Sequence, residues 1–401
     1  MTAAIDTTIP TSDVDPFSPE FLADPWPFVT ELREMAPVVH LERHDVHAIG
    51  RYADVHRALT DWQSLQSAAG VGLSNFNHEK PWRPPSVLLE ADPPKHDAPR
   101  HVLQEILSPR SLRALEERWR ADAHTLVDEV LARGTAFDAV TALAEVFPLR
   151  VFPDAVGLGP DGRENLLPYG DFAFNAFGPQ EGLVAKAAPT IGPTIEWIGE
   201  QCRRENLADG GFGCQIWEAS DHGDITPEQA PLMVRSLLTA GVDTTVTGIA
   251  AVVHAVATTP GAWERLRAHP ELLPRAFEEA VRLASPVQTF FRTTKVPTTI
   301  AGITLPADRK VLMFLGAANR DPRRWEHPDA FDLDRDPSGH VGFGMGIHQC
   351  VGQHVARLEA TAVLGALLER VARIDLTGPV VHHPNNTLRG FESVPVEVTL
   401  A

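Results

Sequence analysis

Val341-Gly342-Phe343-Gly344-Met345-Gly346-Ile347-His348-Gln349-Cys350-Val351-Gly352, followed by the run QHVARLEATAVLGALLERVA from Gln353 to Ala372, is the stretch on which the reading of this chain turns. Its glycines make a loop. The helix-like run begins just past Cys350, so the loop delivers a cysteine to a helix start. Backbone N–H groups there favour thiolate over thiol and can hydrogen-bond a coordinating sulfur, which is what a metal-bound thiolate needs. A lone buried cysteine is more often a small hydrophobe, and glycine clusters are usually plain turns. Cys350 by itself would favour the structural reading, and the residues around it reverse that.

Upstream, the most sharply marked helix begins at Thr226, where Thr-Pro-Glu-Gln supplies an N-cap, a proline at the first helical position and a reciprocal Gln229 contact. The pattern continues to about Ala257, roughly 45 Å at 1.5 Å per residue, enough to cross a domain of this size. In its middle stands Ala240-Gly241-Val242-Asp243-Thr244-Thr245. An interior glycine costs about 1 kcal/mol and threonines compete for backbone carbonyls, so the helix is expected to loosen there. Close helix packing at the glycine and a capped surface aspartate would explain the same residues.

The remaining pattern is mainly α with small β-sheets. Segments near 24–35, 51–59, 98–106, 111–133, 141–156, 161–176, 189–203, 261–268 and 270–284 read as helices, and 38–41, 46–49, 298–303, 310–314 and 394–400 as strands. The proline-rich connections 79–94 and 319–342 are long for a compact domain, a mark of functional loops. Residues 1–15 are small and polar and read as a disordered arm, leaving 16–401 as one domain.

The 401 residues carry a formal net charge of -18, which argues against nucleic acid and anionic membrane surfaces as partners. No run of eighteen apolar residues and no signal-like start is found, so a cytoplasmic location without a membrane partner is expected. Cys202, Cys214 and Cys350 are too few for a disulfide framework and lack zinc-site spacing.

Phe343 to Gly352 matches the ligand loop Phe-Gly-x-Gly-x-His/Arg-x-Cys-x-Gly at every specified position, and the chain thereby resembles the cytochrome P-450 superfamily. AGVDTT, Glu279-x-x-Arg282 and the FDLDR segment with Arg335 follow the family's order. The resemblance implies the cytochrome P-450 fold, with haem b (iron protoporphyrin IX) between the long central helix and the cysteine loop. It implies Cys350 as iron ligand, Phe343 and Gly344 at the cofactor, and His96, Arg100, Arg292 and His348 on the propionates. Asp243 and Thr244 match its acid–alcohol pair for proton delivery, and Glu279, Arg282 and Arg335 its buried structural triad. Without the family, Glu279 and Arg282 would be an ordinary i,i+3 pair.

Trp82-Arg83-Pro84-Pro85-Ser86, Phe174 to Gly178, Arg235 to Leu238 and Pro286 to Phe291 resemble a bacterial branch that oxidises para-substituted benzoic acids. That resemblance implicates Arg83, Ser86 and Ser236 in holding a carboxylate, with Arg235 nearby and Tyr169 closing the pocket. Leu89, Phe174, Phe177, Val287 and Phe290 would be its apolar walls, and Thr239 and Ala240 would face it from the central helix. Thr239 departs from the serine expected there, which bears on the para substituent. The implied reaction is hydroxylation or O-demethylation of an acid such as 4-methoxybenzoate with O2.

No flavin or nicotinamide fingerprint and no iron–sulfur cysteine set is present, so electrons are expected from a separate ferredoxin and its reductase. Arg110, Arg113, Arg118, Arg120 and Arg357 form a candidate docking patch. A peroxygenase, and a haem-binding sensor or carrier, are the rival readings. The first commonly lacks the acid–alcohol pair and the second has no use for it.

Overall fold

The computed structural model describes residues 9–401. Its core is built around the central helix, whose buried face, including Ile249, Val252, Val253 and Val256, packs between helices Leu273–Ala284 and Gln353–Arg370. The latter also packs along the 25-residue helix Pro109–Arg133. A six-stranded sheet lies to one side, in the order Thr11–Ser12, Val39–Leu41, Val46–Ile49, Lys310–Phe314, Thr289–Thr294, Leu65–Gln66. A three-stranded sheet and two hairpins complete the β structure among the described residues. The span Gln229–Thr258 is apolar and long enough to cross a membrane, yet 67% of an eighteen-residue apolar window within it is buried in the protein, as a core helix requires.

Several expectations need correction. The central helix is two helices, Gln229–Ala240 and Asp243–Thr258. A Cβ at Gly241 would overlap the Phe152 ring and lie 2.7 Å from the Leu237 carbonyl, so the glycine is required by close packing. Across the break, the Ala240 carbonyl accepts the Thr244 hydroxyl at 2.9 Å. Thr226 stands one turn outside the helix, although Gln229 Oε1 does accept from its N–H at 2.9 Å.

Residues 9–15 are not a free arm. Thr11–Ser12 pair in parallel with His40 and Leu41, and Asp15 holds Arg43 at 2.7 Å and His44 at 2.9 Å. Short polar strands leave no periodic signal, because their order comes from the partner edge. Residues 1–8 of the expected arm lie outside the described residues. The strand expected at 298–303 is a hairpin, Thr298–Ile300 and Ile303–Leu305, turned by Ala301 and Gly302, both at positive φ. Thr289–Thr294, which overlaps the Pro286 to Phe291 segment expected as pocket wall, is a sheet strand.

Candidate active site

Cys350 is positioned by its loop. Gly344 and Gly346 adopt φ of 66° and 68°, which side chains resist, and the Cys350 N–H closes the loop on the Phe343 carbonyl at 2.7 Å. Burial pushes the thiol up, opposed by N–H groups of Gly352 and Gln353 at the helix start and by Arg100 and Arg357. Phe343 packs under the Arg357 guanidinium at 4.8 Å and against the core.

The loop is anchored from below by Glu279, Arg282 and Arg335. Arg282 donates to Glu279 at 2.7 and 2.8 Å with both side chains wholly buried, and Arg335 reaches Glu279 at 2.9 Å. The remaining guanidinium N–H groups bind carbonyls of Asn319, Glu326, His327, Pro328 and Ala330. Asn319 then accepts from the Val341 N–H at 2.8 Å, tying the cluster to the cysteine loop.

On the other side four expected cofactor contacts converge. His96 and His348 stand edge to face at 4.8 Å, both buried. Arg292 is buried near His348; its one side-chain bond is to the Phe291 carbonyl, and burial lowers it to about 10. His96 Nε2, Arg100 Nε and His348 Nε2 are buried with no hydrogen-bond partner in the protein. Asp92, at 3.7 Å from His348, is too distant for one. Buried polar groups are almost always satisfied, so these orphans fit a ligand that brings acceptors. Two carboxylates meet that need, and the donor set therefore fits haem propionates opposite a cysteine sulfur.

Asp243 begins the second half of the central helix. The residue is half-buried, but its Oδ2 is shut from solvent without a partner, against Gly170. Burial, reinforced by Asp171 and Glu145, holds this carboxyl well above the usual carboxylate range. The adjacent Thr244 donates its hydroxyl back to the Ala240 carbonyl at 2.9 Å.

The chain is 54% identical to cytochrome p450 CYP199A2 of Rhodopseudomonas palustris over 98% of its length and 95% of that protein's. It belongs to the cytochrome P450 family. The family model, Cytochrome P450, matches residues 213–372. A beta-dihydromenaquinone-9 omega-hydroxylase of Mycobacterium tuberculosis is 32% identical, over 97% of this chain and 79% of that one. The solved cytochrome P450 CREJ, in complex with (4-ethylphenyl) dihydrogen phosphate, superposes with a TM-score of 0.87 at 25% identity, over 96% of this chain and 99% of that one. This cytochrome P450 is accordingly a haem b monooxygenase, with the P450 fold.

The five apolar residues expected to wall a pocket lie together in one cluster. Phe174 and Phe177 are buried with Val71 and Leu388, and Leu89, Val287 and Phe290 pack against them. The three phenylalanines meet edge to face at 5.9 and 5.8 Å. At one edge of this cage Leu89 donates its N–H to Ser86 Oγ at 3.1 Å, and Ser86 Oγ lies 3.3 Å from Ser236 Oγ. Ser236, Thr239 and Ala240 share one helix, and the Thr239 hydroxyl donates to the Arg235 carbonyl at 2.8 Å. Tyr169 is buried beside Thr239, and burial raises its phenol.

Arg83 and Arg235 flank this polar edge. Arg83 is not free, as Glu90 takes its guanidinium at 2.9 Å and the Ser86 N–H at 2.7 Å. Arg235 donates to the Pro84 carbonyl at 2.7 Å. Glu90 is a carboxylate that sequence reasoning missed, since an acid at the end of a loop carries no pattern. Val71 and Leu388 were missed because each reaches the cage from a distant irregular segment.

Proposed function

We propose that this monooxygenase hydroxylates or O-demethylates a small para-substituted aromatic carboxylic acid, with 4-methoxybenzoate as the type substrate. The observation that carries the reading is the polar edge, Ser86, Ser236, Arg83 and Arg235, at one end of a phenylalanine-walled cage. Two guanidiniums against the single carboxylate of Glu90 leave one positive charge, enough to hold one monocarboxylate. Thr244 follows Ser236 across the break between the two halves of the central helix, so an acid anchored at Ser236 would aim its para substituent toward Thr244. The para-ethylphenyl phosphate in the CREJ structure is an aromatic anion of similar shape.

In this reading Cys350 would ligate the iron, His96, Arg100, Arg292 and His348 would hold the propionates, and Phe343 and Gly344 would belong to the same cofactor site. Bound haem b supplies the iron at which dioxygen is activated and one oxygen atom is delivered to a substrate C–H bond. Asp243 holds the proton that this reduction consumes, and Thr244 positions its hydroxyl at the helix break to pass it on. The aromatic cage excludes water from the substrate. A methoxy carbon hydroxylated there becomes a hemiacetal, which breaks its C–O bond to release formaldehyde and the 4-hydroxy acid. Electrons come from an iron–sulfur ferredoxin and its reductase, in the cytoplasm, to a single domain spanning residues 16–401.

Titrating the ferric holoprotein with 4-methoxybenzoate tests the substrate. The expected result is a blue shift of the Soret band to high spin, with affinity reduced about tenfold or more in Arg83→Ala and Ser236→Ala. No shift in a protein that otherwise forms the thiolate carbon monoxide spectrum would discard the aromatic acid and keep the monooxygenase. For docking, Arg118, Arg120 and Arg357 are taken by Asp154, Glu116 and Glu278, which leaves Arg110 and Arg113 as the exposed charges for an acidic ferredoxin. Arg113→Ala should slow reduction at low salt and leave it unchanged at high salt, and an unchanged rate in both would remove this surface from consideration.

A further inference from the structure

An acid that gives up a proton in each turnover must be recharged, and Asp243 has no direct contact with solvent at Oδ2. Its carboxyl lies on the backbone of Gly170, so closely that a Cβ there would overlap it. The next residue along that helix is Asp171. Asp171 Oδ1 accepts from His383 Nε2 at 2.8 Å and from Asn385 Nδ2 at 2.8 Å, and its Oδ2 accepts from Asn175 at 3.1 Å. The His383 side chain is 47% exposed. This acid–imidazole pair thus has its imidazole end in water and its acid end beside the residue that touches Asp243.

The C-terminal hairpin brings His383 to the same place by a second path. His383 is paired with Gly390 across the hairpin. A Cβ on Gly390 would stand 3.3 Å from Thr247 Oγ1 and 4.0 Å from His383 Cβ. Thr247 in turn donates its hydroxyl to the Asp243 carbonyl at 2.9 Å. The hairpin therefore sits on the first turn of the helix that Asp243 begins, and Gly390 lets it come that close.

We propose that Asp171 and His383 form the route by which solvent protons reach Asp243. The inference rests on the reading of Asp243 as the proton donor. Once Asp243 has given up its proton, His383 Nε2 gives one to the Asp171 carboxylate, which passes it on to the Asp243 carboxylate and is left ionised again. Water reprotonates the half-exposed imidazole. One proton moves inward per step and no electron is transferred. Both are positioning residues, since they act only through Asp243. The hydrogen bond and charge of Asp171, with the charges of Glu392 and Glu145, hold His383 above its ordinary value against its partial burial. A purely structural tie between helix Leu166–Asn175 and the hairpin would need the hydrogen bonds and not the mobile proton.

The experiment is infrared detection of the protonated Asp243 carboxyl in the holoenzyme, assigned by its loss in Asp243→Asn, during mixing into D2O. His383→Gln retains an amide donor toward Asp171 and cannot be protonated. It should slow deuteration of the Asp243 carboxyl about tenfold or more, as should Asp171→Asn. The fraction of electrons recovered in product should fall in the wild type as pH rises through the His383 titration, and His383→Gln should abolish that inflection. Exchange rates and pH profiles unchanged in both variants would overturn the route and leave the pair as a tie. Asp243→Asn with undiminished turnover, or a wild type without a protonated carboxyl, would instead overturn the reading of Asp243, and the route with it.

Discussion

Two buried charge clusters lie on either side of the Cys350 loop, and they differ in one respect. Around Glu279, the guanidiniums of Arg282 and Arg335 are met by a carboxylate and a set of backbone carbonyls. Around His348, three buried donor atoms, on His96, Arg100 and His348, meet nothing in the protein. The first cluster is complete as folded and holds the chain in shape. The second is complete only with a ligand, because desolvated donors are costly unless an acceptor arrives. Satisfaction of buried polar groups, more than their charge or burial, separates the structural cluster from the binding one.

The largest effect expected from that contrast is at Glu279. Replacing it with alanine leaves two buried guanidiniums without their anion and should cost about 3–5 kcal/mol of stability. Urea unfolding should show this in apoprotein and holoprotein alike. A loss confined to the holoprotein would break the comparison, since it would make the Glu279 cluster part of haem binding.

Arg292 and His348 should behave in the opposite way. Arg292→Leu removes a charge-assisted contact worth about 1.5–3 kcal/mol, so haem affinity should fall roughly 10- to 100-fold while the apoprotein is no less stable. The apoprotein should also sense pH through His348, which burial lowers to about 4 from an ordinary value of 6.5. Between those values the unfolded chain binds a proton that the folded one does not, so stability falls as pH drops through that window. His348→Phe should flatten part of this slope in urea unfolding measured across the window. A slope that persists unchanged would assign it to other groups and blunt the contrast.

Much of the fold was legible because helices here carry long periodic patterns. The helix after Cys350 and the strands Val46–Ile49 and Lys310–Phe314 lie where the pattern put them. The strand Thr289–Thr294 and the hairpin Val381–His383 with Gly390–Ser393 were not legible, being short segments ordered by partners far away in sequence. Within the site the cysteine loop was readable because its glycines, histidine and cysteine are fixed in spacing by one local geometry. Glu90, Asp171 and His383 were not, because each matters through a neighbour that sequence distance conceals.

The sequence by itself determined the chemistry at the centre: a loop whose glycines set its conformation, a cysteine at a helix start, and a helix weakened at Gly241 just before an acid and an alcohol. Those features are local, written in residues a few positions apart and enforced by backbone sterics and helix-end electrostatics. Only the tertiary structure decided which buried donors are left without acceptors, that Arg83 already has Glu90 for a partner, and that a half-exposed histidine approaches Asp243 from the far end of the chain. Those facts depend on which distant segments are packed together, and on the desolvation that packing imposes on each charge.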